Sequence, residues 1–231
     1  MKRIFRGLWK AIKYLIIIFF GSSIFFVGLY RFVNPPVTPL MVIRVTEQAW
    51  NGQHVKLKKA WKSLNELPAH LPLAVIASED NKFLIHHGFD FESIDKAKDY
   101  NRKKQGRKVR GASTISQQTA KNVFLWPQRS WVRKGLEVYF TVLIELVWSK
   151  KRIMEVYLNV IETGKGVYGA ETISQESFGK PAIKMTRAES ALVAAVLPNP
   201  LKWKVSSPTP YIRSRQQWIL WNMNNIGTIR F

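Results

Sequence analysis

The 231-residue chain contains no cysteine. That absence excludes thiolate metal sites, iron–sulfur ligation, a thiol nucleophile and a disulfide framework, and it fits either side of a membrane. Acidic residues are scarce. Fifteen Asp and Glu face 36 Lys and Arg, so the formal charge is +21 and the sequence pI about 10.3. The partner should therefore be negatively charged: nucleic acid, anionic lipid headgroups or a phosphorylated substrate. Repeats and low-complexity tracts are also missing, and 46% of residues are hydrophobic, which suits one globular domain with a short appendage and argues against disorder.

The appendage lies at the N-terminus. Lys2, Arg3, Arg6, Lys10 and Lys13 precede an uncharged run over residues 14–30, at the short end of what a bilayer-crossing helix needs. Lys13 and Arg31 can snorkel at its ends, and Tyr14 and Tyr30 mark its edges. Five cations with no acid before the run predict a cytoplasmic N-terminus, so the chain beyond Pro35-Pro36 lies outside the cytoplasm. The alternative is a cleaved signal peptide. It is disfavoured because the run exceeds the usual ~7–15-residue apolar core and no small-x-small site precedes Asn34. Setting aside the five N-terminal charges leaves +16 on the presumed exported part.

Residues 33–39, with three prolines, read as an extended connector. About 195 residues remain, enough for one buried core. Their periodicity is mostly helical and strand signals are short and weak, which predicts a mainly α domain. Residues 71–78 form a short apolar helix that runs into Glu79-Asp80. Residues 96–110 carry eight cations against Asp99 alone and read as a mobile basic loop. Thr114-Ile115-Ser116-Gln117 has capping-box spacing and should open a helix to about Phe124; Thr186-Arg187-Ala188-Glu189 should open another that Pro198 closes. Residues 133–148 are apolar nearly all round, as in a helix buried at the domain centre. Residues 149–163 are amphipathic, with Ile153, Val156, Tyr157, Val160 and Ile161 on one stripe and Gly164 as the stop.

Three segments carry candidate chemistry. Glu79 follows an apolar segment and can be partly desolvated there, which would raise its pKa and let it accept a proton near neutrality; a solvated helix end is the plain alternative. The neighbouring His86 and His87 point in different directions on any regular element, which argues against joint metal ligation. Residues 111–122 place a glycine, the hydroxyls of Ser113, Thr114 and Ser116 and free N–H groups at a helix start, a phosphate-attracting arrangement, with Lys121 one or two turns further on. Arg129, Arg133 and Lys134 add cations beside a second acid, Glu137, which would ordinarily serve as a helix-dipole partner.

In order and spacing, Glu79-Asp-x-x-Phe83-x-x-His-x-Gly88, Gly111-x-Ser-Thr-Ile-x-Gln-Gln-x-x-Lys-Asn122, Arg133-Lys-x-x-Glu137, Ile153-Met-Glu-x-Tyr-x-Asn159 and Gly164-x-Gly166-x-x-Gly169 resemble the motifs of the peptidoglycan glycosyltransferases, family 51. The resemblance covers residues 67–208. With an anchor, about 195 residues beyond it and no penicillin-binding domain after them, the chain resembles the monofunctional biosynthetic members of Gram-negative bacteria. It departs from the family at residues 173–180, where Ser177 replaces a usual tyrosine and Glu176 adds a charge.

The resemblance implies a lysozyme-like helical glycosyltransferase domain at 67–231, preceded by a cytoplasmic segment (1–13), a transmembrane helix (14–32) and a connector with a jaw-like start (33–66). It also implies polymerisation of lipid II: a GlcNAc 4-hydroxyl attacks a MurNAc anomeric carbon, undecaprenyl diphosphate leaves, and inversion gives a β-1,4 link. Glu79 resembles the catalytic base and Glu137 the family's second glutamate. Lys121, Arg129, Arg133 and Lys134, with the helix end at Ser113 and Thr114, are the candidates for holding the diphosphate. Gln117, Gln118 and Asn122 suit sugar and amide hydrogen bonds. No cofactor is required by the sequence; Mg or Mn at the diphosphate, held by Glu79 and Glu137, stays open. The implied partners are lipid II, the growing lipid-linked glycan, the membrane and cell-wall synthesis proteins, with no nucleic acid, at the bacterial inner membrane with a periplasmic catalytic domain. Two rivals remain: a lysozyme-like muramidase, whose poor leaving group needs an acid that a diphosphate does not, and a membrane-anchored cell-wall scaffold without activity.

Overall fold

The computed structural model describes residues 2–104 and 111–231, with side chains described from Phe5. The chain divides into two compact units, Met1–Pro35 and Pro36–Phe231. The first is the helix α1 (Lys2–Tyr30), 29 residues and so about 43 Å long, of which Phe5–Tyr30 is long and apolar enough to cross a membrane.

The second unit is helical, with one small sheet among the described residues. In chain order its elements are α2 (Pro39–Trp50), β1 (Lys58–Lys59), α3 (His70–Glu79), α4 (Phe91–Lys103), α5 (Ile115–Phe124), α6 (Trp131–Val147), α7 (Lys150–Val160), β2 (Glu162–Gly164), β3 (Val167–Tyr168), α8 (Ala170–Phe178), α9 (Arg187–Val196) and α10 (Pro210–Ile226). Local chemistry explains many of the boundaries. Thr114 and Thr186 each close a full capping box, with Gln117 and Glu189 as the reciprocal partners. Thr38 caps α2, whose first residue is proline, a position where the missing N–H is harmless.

The core is centred on α7, where Ile153, Met154, Val156 and Tyr157 are fully buried. Helix α5 packs against both α6 and α7, while α3, α9 and α10 form a second packed group. Alanines 74, 77, 191, 194 and 195 are all buried where α3 and α9 meet, and small side chains let the backbones approach. Because α3 is enclosed on all sides, Leu71 to Ala77 are buried without exception.

The sheet has the order β1-β3-β2, with β1 parallel and β2 antiparallel to β3. Gly166, at φ 66°, turns β2 into β3; a Cβ there would lie 2.2 Å from the Lys56 carbonyl oxygen. Gly166→Ala is therefore expected to destabilise the fold by about 2–3 kcal/mol, a combined steric and left-handed-backbone effect read as a lowered melting temperature. Glu176 on α8, the charge that departs from the family pattern, forms ion pairs with Lys56 at 2.7 Å and Lys58 at 2.6 Å and so fastens α8 to the β1 edge. Those two lysines hold its carboxyl below the ordinary range.

Four sequence expectations need correction. Residues 96–103 are helical and belong to α4, while 105–110 lie outside the described residues. Asp90 caps α4 through Ser93 N at 3.0 Å, and Glu92–Lys96, Asp95–Lys98 and Asp99–Arg102 pair along its surface. The helix hid because its acids, Glu92 and Asp95, precede the basic window. Helix α6 is not central: Trp131 and Leu146 are 92% and 77% exposed, and the buried stripe instead holds Arg133, Glu137, Phe140, Thr141 and Ile144. Charges tolerate that burial because they neutralise one another. Helix α7 stops at Val160, four residues before Gly164, because residues 162–164 pair with β3. The connector also contains a whole helix, α2, beyond its prolines.

Candidate active site

Glu79 is the last residue of α3, the point where a fully buried apolar helix delivers a carboxylate to an open cleft. The cleft has a volume of about 370 Å³. One wall is a face of α5, with Gln118, Lys121, Asn122 and Leu125 at helical spacing; Ser113 lies at its N-terminal side, and Trp126 and Arg129 follow its end. The opposite side brings Arg44 from α2 and Glu162 from β2.

Both Glu79 oxygens are engaged. Gln118 Nε2 donates to Oε2 at 3.0 Å, while Ser78 Oγ and an Arg215 guanidinium N–H reach Oε1 at 3.0 and 3.4 Å. Arg215 also donates to Ser78 Oγ at 2.9 Å. Next door, Asp80 has a structural task. Its carboxylate accepts from Ile115 N at 2.9 Å and pairs with His86 Nε2 at 2.9 Å. Gly88 N donates to His86 Nδ1, so the proton sits on Nε2, facing Asp80. Thr114 Oγ1 donates to the Gly88 carbonyl at 2.7 Å. Gly88 itself has φ 87°, and a Cβ would meet Thr141 Cγ2 at 2.9 Å. The first motif is therefore largely a lock that sets the start of α5 against the end of α3.

Lys121 is mostly withdrawn from water, and burial lowers its pKa below the ordinary lysine value; Arg133 and Lys134 push the same way, while Glu137 and Glu162 oppose them. Arg133 NH1 donates to Glu137 Oε2 at 2.7 Å, and Lys134 Nζ pairs with Glu137 Oε1. Glu162 is salt-bridged to Arg44 Nε at 3.2 Å; burial nevertheless raises its pKa.

Of the residues singled out from sequence, Glu79, Ser113, Gln118, Lys121, Asn122 and Arg129 line the cleft. Asn122 Nδ2 is buried without a hydrogen-bond partner. Thr114 and Gln117 do not line it: they are buried and spent on each other in the capping box. Arg133, Lys134 and Glu137 form an ion cluster behind Lys121 rather than part of the cleft wall. Sequence reasoning missed Arg44, Glu162 and Arg215. Arg44 sits on a helix that was read as connector, and Arg215 lies 136 positions from Glu79, with no local signal pointing there.

As metal ligands the two acids do not fit. Glu137 is neutralised by Arg133 and Lys134, Glu79 is held by three donors, and among the described residues no group of three or more His, Asp or Glu side chains converges.

Comparison with known proteins adds two findings. The Transglycosylase family profile matches residues 46–224. Proteins named biosynthetic peptidoglycan transglycosylase are similar over nearly the whole chain. That of Bacteroides thetaiotaomicron is 55% identical over 218 residues, covering 93% of this chain and 87% of the relative. Those of Shewanella oneidensis and Pseudomonas aeruginosa are 47% and 46% identical, covering 99% and 98% of this chain and 95% of each relative.

Proposed function

Because this chain belongs to the transglycosylase family and is a peptidoglycan glycosyltransferase, we propose that it polymerises lipid II into β-1,4-linked glycan at the cleft between α3 and α5, with Glu79 as the general base. The observation that carries this reading is that Glu79 and Lys121 share one cleft, an acceptor of protons facing a partly desolvated cation.

A sugar hydroxyl attacks poorly until its proton is taken, and Glu79 is the carboxylate available to take it from the acceptor's GlcNAc O4. As O4 bonds to the MurNAc anomeric carbon, the bond to the diphosphate oxygen breaks and the electron pair leaves with undecaprenyl diphosphate. That group departs as an anion and needs positive charge more than a proton. Lys121 and Arg129 in the cleft supply it, and the Arg133–Glu137–Lys134 cluster sets the field behind Lys121. Attack opposite the leaving group inverts an α donor to a β product. Ser113 and Asn122 are the hydrogen-bonding groups for sugar, and the unpaired Asn122 Nδ2 supports that role, whereas Gln118 is engaged by Glu79 and Tyr157.

Both substrates are lipid-tethered and anionic. Helix α1 keeps the enzyme on the same surface, and a domain charge of one sign favours encounter with them. We place residues 1–13 in the cytoplasm, α1 across the inner membrane and the catalytic unit in the periplasm, on the strength of the five N-terminal cations.

The test is direct. Purified chain in detergent, given lipid II, should form glycan strands, and given purified glycan it should release no soluble muropeptides. Muropeptide release without strand formation would identify a hydrolase instead.

A further inference from the structure

The amide of Gln118 is used at both ends. Its Nε2 donates to Glu79 Oε2 at 3.0 Å, and its Oε1 accepts from Tyr157 Oη at 3.2 Å. A glutamine amide has a donor face and an acceptor face of nearly the same shape, so a half-turn of the group would aim Oε1 at the carboxylate and repel it. The carboxylate, which can only accept, therefore keeps Nε2 on its side, and a donor on the other side holds Oε1 in place. Tyr157 is that donor. It is fully buried in α7, and burial, together with the nearby charges of Glu79 and Asp80, raises its pKa well above the ordinary value, so the phenol keeps its proton. Nothing in the proposed chemistry calls on Tyr157 itself.

We infer that Tyr157 is a positioning residue for glycosyl transfer: by donating to Gln118 Oε1 it anchors the amide whose other end holds Glu79, and so aims the carboxylate at the acceptor hydroxyl. This rests on Glu79 being the base. The bond from Tyr157 lies one residue removed from the reacting groups, so its loss should slow the chemical step and leave substrate binding alone.

Tyr157→Phe deletes the hydroxyl and keeps the ring that packs the core. Lipid II polymerisation by this variant should show kcat lowered about tenfold, with KM within twofold of wild type and a melting temperature lowered by only a few degrees. A purely structural role would instead leave kcat untouched in the folded fraction. The same substitution in a Gln118→Leu background, read with enzyme in excess so that slow turnover is still measured, should change the rate by less than twofold, because no amide remains to anchor. An unaltered kcat in Tyr157→Phe, or an undiminished tenfold loss in the Gln118→Leu background, overturns the inference. Glu79→Gln run alongside separates the two readings: a fully active Glu79→Gln removes the base assignment and the brace with it, whereas an inactive Glu79→Gln beside a normal Tyr157→Phe removes only the brace.

Discussion

Glu79→Gln is expected to lower the rate of lipid II polymerisation by at least about 10³-fold while leaving the protein folded, membrane-inserted and able to bind substrate. The size follows from general-base catalysis, which contributes roughly 10²–10⁴-fold, and from the absence of an equivalent second acceptor among the described residues of the cleft wall. Glu162 lines the same cleft, but its carboxylate is tied to Arg44. Glutamine is close to glutamate in shape: its Oε1 can still accept from Ser78 and Arg215, and Gln118 can turn its amide to accept from the new N–H while donating to the Tyr157 hydroxyl, so stability should change little. Radiolabelled strand formation and thermal melting, measured on one preparation, check both halves. A variant polymerising within tenfold of wild type would assign the proton to another group.

The second large effect runs in opposite directions for stability and activity. Lys121→Met should reduce kcat/KM by about 10²-fold, the order expected when one donor to a developing oxyanion is removed. Its melting temperature should equal or exceed that of wild type. Proton linkage is the cause. Burial lowers the folded-state pKa of Lys121, so the charged form is disfavoured in the fold relative to the unfolded chain; this penalty is present at neutral pH and relieved only as pH rises toward and past the folded pKa. Removing the charge removes the penalty. A structural lysine would behave oppositely, with lower melting temperature and retained activity. The pH profile offers an independent check. Wild-type kcat/KM should fall on the alkaline side below the ordinary lysine pKa of 10.5, and Lys121→Arg, which keeps its proton, should lose that limb.

Local signals in the chain were read well where one segment supplies both cause and effect. The capping boxes at Thr114 and Thr186 and the apolar run before Glu79 depend on residues a few positions apart. Gln118, Lys121 and Asn122 were singled out separately, and the structure brings them to one cleft wall because they stand at helical spacing on α5. What escaped was set by tertiary contact. Thr114 and Gln117 are the one local exception: the capping box that their spacing announces spends the same side chains that the resemblance assigns to substrate. The apolar circumference of α6 suggested a central helix, yet neutralisation of Glu137 by Arg133 and Lys134 lets a charged stripe be the buried one. Arg44 and Glu162 meet across 118 positions, a separation no periodicity can reveal.

The reach of Arg215 from α10 to the end of α3 also bears on the order in which the site is assembled during synthesis. Glu79 emerges from the ribosome 136 residues before the guanidinium that flanks it, and α10 follows every other element described above. A nascent polypeptide therefore carries its acid, and the Ser78 and Gln118 donors, well before Arg215 is made, and until α10 docks that carboxylate lacks the third of its three donors.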